Sequence, residues 1–86
     1  PLARERLIRL MKELIELIAK KITDHPEDVQ VRMIESEDGQ QYELQVNPED
    51  MGKVIGKDGK TAKALRSLIG AAAAKQDLHV GLTIVE

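Results

Sequence analysis

From Leu7 to Ile22 apolar residues recur at helical spacing: Leu7, Met11, Leu14 and Ile18 lie along one line, with Ile8, Ile15 and Ile22 beside them. At about 100° per residue, Leu10 and Leu17 widen the apolar arc to roughly 200°, about twice the width one packing contact needs. The pattern predicts a long helix with two surfaces to cover. Thr23, Asp24 and His25-Pro26 end it, because a residue before proline avoids the α region. The period then drops to two. Val29, Val31 and Met33 alternate with Gln30 and Arg32, and Tyr42, Leu44 and Val46 alternate with Gln41, Glu43 and Gln45, predicting two strands with one wet face each. Within Ser36-Glu37-Asp38-Gly39-Gln40, Asp-Gly is a hairpin signal whose glycine supplies positive φ, so the strands are expected to be antiparallel. Tyr42 shares parity with Leu44 and Val46 and is expected in the core.

Asn47-Pro48-Glu49-Asp50 has the form of a helix start, with Asn47 as cap, Pro48 at the first position and two acids at the positive end; a short helix to about Ile55 follows. A further helix is predicted from Lys60 to about Lys75. Leu65, Leu68, Ile69, Ala62 and Ala72 occupy its packing side, and Lys60, Lys63, Arg66 and Ser67 its basic side with Gly70 and Ala74. The run Ala71 to Ala74 favours helix and permits close approach to a sheet. Leu78, Val80, Leu82 and Ile84 alternate with His79, Gly81 and Thr83 in a last strand. The element order is αββααβ.

Eighty-six residues form one small domain with a thin core, and the lack of cysteine leaves packing, or a partner subunit, to stabilise it. No apolar stretch approaches the roughly 20 residues that span a bilayer, and no signal peptide is visible, so no membrane contact and a cytoplasmic location are expected. The net charge of −2 argues against a polyanionic partner only until its distribution is considered. Residues 25–52 carry one basic and eight acidic side chains, whereas 53–75 carry six basic and one acidic.

The basic segment surrounds Val54-Ile55-Gly56-Lys57-Asp58-Gly59-Lys60, a Gly-x-x-Gly turn between two helices. Glycines there allow a sharp bend and let a phosphodiester come close to the main chain. The following helix directs its unpaired N–H groups and the positive end of its dipole to the same place, while Lys53, Lys57 and Lys60 add charge. Val54 and Ile55 offer an apolar wall for bases, and Lys63 and Arg66 continue the basic face along the helix. An ordinary tight turn, with Asp58 capping the second helix, is the plain alternative.

The αββααβ order, the Ile before the first glycine and the Lys after the second resemble a K-homology (KH) domain of the prokaryotic type. Met11-Lys12-Glu13-Leu14-Ile15, Pro48-Glu49-Asp50-Met51-Gly52-Lys53-Val54-Ile55-Gly56-Lys57 and Ala71-Ala72-Ala73-Ala74-Lys75 are similar to the small single-domain bacterial proteins of the KhpA family. The resemblance covers residues 11–86 and leaves 1–10 as an N-terminal extension of the first helix. It implies an α+β type II KH fold, with three helices on one face of a three-stranded mixed sheet and the last strand parallel to the Tyr42 strand. It also implies binding of about four nucleotides of single-stranded RNA beside the Gly-x-x-Gly loop. A homodimer or a complex with a Jag-type KH protein, and an RNA-chaperone or post-transcriptional role touching cell division and envelope synthesis, follow from it as expectations.

Rival classes lack their residues. Tyr42 is the single aromatic, too few for a sheet or barrel that stacks bases. Gly52, Gly56 and Gly59 match neither a dinucleotide fingerprint nor a phosphate-binding P-loop. With no third ligand evident beside His25 or His79, no metal is expected; no cofactor or small-molecule substrate is expected either. Glu49 and Asp50 are accounted for by the helix start, and no nucleophile with a base is present, so no enzyme is expected. The competing hypothesis is a protein-interaction adaptor that uses the wide apolar arc of the first helix.

Overall fold

The computed structural model describes residues 2–37 and 39–86. Helix α1 runs unbroken from Leu2 to Ile22. Met11, Ile15 and Ala19, spaced by four, are its buried line, with Leu7, Ile8 and Ile18 packed alongside. Ala19 completes a stripe that the larger apolar residues only partly traced. The rest of the wide arc stays outside: Leu10 and Leu17 are 59% and 54% exposed. A 3-10 turn at Pro26–Asp28 redirects the chain into β1, Gln30–Ser36.

β1 pairs antiparallel with β2, Gly39–Gln45, with Gln30 opposite Gln45 and Ser36 opposite Gly39. Of the expected Asp38-Gly39 turn, Asp38 lies outside the described residues; Gly39 has the expected positive φ, +132°, and is already the first residue of β2. A 3-10 turn at Pro48–Asp50 opens α2, Met51–Ile55, and the Asn47 side chain accepts the predicted capping bond from the Glu49 N–H at 2.8 Å. After the turn containing Lys57–Gly59 come α3, Lys60–Ala74, and β3, Val80–Val85. β3 lies parallel to β2, so the sheet order is β1-β2-β3.

Central position explains why β2 carries the deepest residues. Tyr42 stands between Met33 and Leu82, and Leu44 between Val31 and Ile84. On that face the sheet meets Met11 and Ile15 of α1, Val54 of α2, and Leu65 and Ile69 of α3 in one cluster. The opposite face carries Arg32, Glu43 and Thr83, and among the described residues no helix lies over it. The fold is therefore α+β, three helices on a three-stranded mixed sheet in the order αββααβ, as in a type II KH domain.

Two features of α3 refine the expected wheel. Ala62, Leu65, Ile69 and Ala73 form its buried stripe, but Leu68, expected on the packing side, is 48% exposed. It lies about 100° around the helix from Ile69, past the edge of a stripe wide enough for one contact. Leu68 and Leu10 instead line an apolar groove of about 540 Å³ between α1 and α3, together with Ala3, Leu7, Ala71 and Ala72 and edged by Arg6 and Lys75. The helix closes where Asp77 turns to φ +56° and the Leu78 N–H returns to the Ala73 carbonyl at 3.0 Å.

Tyr42 is wholly buried and its hydroxyl donates to the Ile8 carbonyl of α1 at 2.6 Å, tying the first helix to the central strand. Burial disfavours the phenolate and pushes the group from 10.0 up to about 12. The stability linked to this shift is complete below pH 10 and is lost as pH rises from 10 towards 12. Because the chain has one tyrosine, absorbance titration should show a single phenolate transition near pH 12 that coincides with loss of helical circular dichroism. Tyr42→Phe should keep the fold at a cost of about 1 kcal/mol in denaturant melts, the net worth of one such bond.

Candidate nucleic-acid interface

Gly56 ends α2 at φ +79° and ψ 170°, a conformation open almost only to glycine, and its N–H reaches the Gly52 carbonyl at 2.9 Å. The Gly59 N–H bonds the Gly56 carbonyl at 3.1 Å, and Asp58 and Gly59 both adopt left-handed backbone, φ +57° and +74°. These three residues reverse the chain from a five-residue helix into α3. Space is as restrictive as φ at Gly56. A Cβ there would stand 2.3 Å from Thr61 Oγ1 and 2.8 Å from the Thr61 backbone N, whereas at Gly59 it would meet only Lys63 Cε at 3.9 Å. Gly56 thus lies directly on the opening turn of α3.

Among the described residues no side chain caps that turn: Gly59 occupies the cap position, and the Asp58 carboxylate makes no capping bond, so the plain alternative for Asp58 does not describe this structure. The Lys60 N–H is taken by the Lys57 carbonyl, and the opening turn of the 15-residue α3 beyond it stands beside the bend with the positive end of the helix dipole. Lys57, Lys60 and Lys63 are exposed around it, and among the described residues none of the three is in an ion pair. Ile55, 37% exposed, adds apolar surface at the end of α2.

The remaining sequence-derived residues take other positions. Val54 is fully buried, so its side chain anchors α2 in the core and cannot line a wall with Ile55. Lys53 faces away to Asp24, with which it forms an ion pair; that bond raises the lysine's pKa against the opposing effect of desolvation. Arg66 lies further along α3, where its Nε donates to the Leu82 carbonyl of β3 at 3.1 Å. Gly56 to Gly59, Lys57, Lys60 and Lys63 form one cluster, and Arg66 extends it towards the sheet.

Glu49 and Asp50 do stand in the first turn of the helix start, as expected, but Asp50 has a further role. It does not cap its own helix. Its carboxylate, on a residue only 1% exposed, accepts the backbone N–H groups of Asp24 and His25, each at 3.0 Å, one on each oxygen. Burial acts to raise its pKa; those two N–H groups, with the charges of His25 and Lys53, outweigh burial and hold it below 3.8. A signal was present in the spacing, since Asp50 precedes the buried Val54 by four positions and so shares its helical face. The lack of a third ligand near His25 is likewise corrected. The Pro26–Asp28 turn brings ligand atoms of His25, Glu27 and Asp28 within 4.8 Å of one another, with Glu27 and Asp28 exposed and Asp28 bonded by Asn47 Nδ2 at 2.9 Å.

The glycines should separate by substitution. Gly59→Ala should cost roughly 1 kcal/mol, the left-handed penalty alone. Gly56→Ala should cost more, roughly 2–3 kcal/mol, from strain plus the Thr61 collision. Gly52, with nothing near its Cβ position, should accept alanine with a gain of up to about 1 kcal/mol. Denaturant melts of the three variants give the ranking, and equal losses at positions 52 and 56 would contradict the close approach.

A family model described as the KH domain of KhpA/KhpB matches residues 12–84. The chain is 55% identical over 78 residues to the RNA-binding protein KhpA of Halalkalibacterium halodurans, covering 88% of this chain and all of that protein. It is 52% identical over 75 residues to KhpA of Clostridium perfringens, covering 87% and 100%, and 47% identical over 76 residues to KhpA of Listeria monocytogenes, covering 88% and 100%. No solved structure gives a significant match.

Proposed function

Since this chain belongs to the KhpA/KhpB KH-domain family, we propose that it binds single-stranded RNA through the Gly56-Lys57-Asp58-Gly59 loop and the adjoining surface of α3. The observation that carries this assignment is the uncapped start of α3 beside a side-chain-free Cα at Gly56, ringed by lysines that have no acidic partner among the described residues. Main-chain N–H groups bond phosphate oxygens at the bend, Lys57 and Lys60 neutralise charge, and Lys63 and Arg66 lead the strand along α3. Ile55 supports an unstacked base, and Lys53 stays with Asp24 until a phosphate competes for it. Val54 serves from the core side by holding α2. The proposed activity is binding without catalysis, in a chaperone-like or post-transcriptional role touching cell division and envelope synthesis. Relatives named as RNA-binding proteins support the ligand class.

Fluorescence anisotropy with a short single-stranded RNA tests the assignment. Contacts to three or four phosphates imply that affinity falls about 20- to 50-fold between 50 and 200 mM salt. Lys57→Asp, which places two acids between the glycines, should abolish binding while leaving the circular dichroism unchanged. Full affinity in that folded variant would refute the site.

The family assignment also supports a homodimer, or a complex with a Jag-type KH protein, and the apolar groove holding Leu10 and Leu68 is the surface we assign to it. Residues 2–10 precede the family match yet continue α1 into that groove through Ala3, Leu7 and Leu10. Removing them should weaken self-association more than RNA binding. Sedimentation showing the same mass before and after removal would count against their role.

A further inference from the structure

α2 has five residues, too few to be stable as an isolated helix, yet it sets where the Gly56 bend stands relative to α3. Val54 fixes one side of it in the core. Its other restraint comes from the corner after α1. The Asp50 carboxylate holds the N–H groups of Asp24 and His25, 26 and 25 residues distant in sequence, and Lys53, nearly one turn later, pairs with the Asp24 side chain. Asp50 is the only buried charged side chain among the described residues, and both of its oxygens are used. Resting on the RNA-binding assignment above, we propose that Asp50 is a positioning residue for RNA: it clamps α2 to the α1–β1 corner so that the Gly56–Gly59 bend and the start of α3 are preformed for phosphate.

A preformed site avoids the ordering cost that a mobile loop meets on binding, so loosening the clamp lowers affinity without removing any contact to RNA. Charge alone predicts the opposite sign. Replacing Asp50 by a neutral residue removes a negative charge from the neighbourhood of a polyanion and would by itself strengthen binding. A purely stabilising role predicts a third result, a lower Tm with unchanged Kd wherever the protein is folded.

Asp50→Asn keeps the shape and one acceptor but sets its amide group against the second N–H; Asp50→Ala removes both bonds. Binding to a short single-stranded RNA is measured at a temperature where circular dichroism shows each variant folded, alongside amide NMR spectra without RNA. The expected result is about tenfold weaker binding for Asp50→Asn and more for Asp50→Ala. The dependence on salt should match that of the unmodified protein, and the free-state resonances of Gly56 to Gly59 should be shifted or broadened. Wild-type affinity in folded Asp50→Asn, with the bend's resonances in place, overturns the clamp and leaves the RNA assignment intact. Failure of the unmodified protein to bind RNA at low salt overturns the assignment itself.

Discussion

Two hydrogen bonds to one buried carboxylate join the first third of this chain to the rest. Asp50 receives the N–H groups of Asp24 and His25 just where α1 has ended and no helix bond remains for them, and in return those groups solvate a charge that burial would otherwise neutralise. The tie works in a small domain because it replaces area with direction. A thin core cannot hold a five-residue helix by packing alone, so α2 is held by Val54 on one side and by this corner on the other. The bend at Gly56 inherits its position from both.

From that position follows the separation of charge. The acidic stretch of the chain lies in the hairpin, the proline turns and the corner, where Glu27, Asp28 and Glu49 surround His25. The basic stretch lies on the bend and α3, where Lys57, Lys60 and Lys63 have no acidic partner among the described residues. A net charge of −2 is thus compatible with a locally positive site, because exposed charges more than about 10 Å apart are largely screened from one another at moderate salt. Lys53 stands at the boundary and belongs to the acidic side through Asp24.

The apolar surface of α1 has a parallel division. Its buried line meets the sheet and is locked by the Tyr42 hydroxyl at Ile8, while Leu10 and Leu17 remain in solvent. Leu10 shares a groove with Leu68 of α3, on a different part of α3 from its lysine row. The groove and the bend are therefore separate surfaces of one molecule.

Elements, their order and the bend were legible from residue pattern because they are local. Period-two alternation marked β2, Asn47-Pro48 marked the helix start, and two glycines three apart among lysines marked the turn; each depends on interactions within a few residues. The parallel pairing of β3 with β2 came from family resemblance rather than from spacing. What required the tertiary structure was every assignment that depends on a distant neighbour. Leu68 faced outward because α3 meets its neighbours over a narrow stripe, and Val54 was lost to the core. His25 met Glu49 from the far side of the hairpin, and Lys53 turned to a residue 29 positions away. Asp50 is the clearest case. As a helix-start acid it was fully explained by local chemistry, and only the arrival of the α1–β1 corner above it turned a solvent-facing charge into a buried acceptor, because burial and long-range hydrogen bonding are properties of the folded arrangement and not of any segment within it.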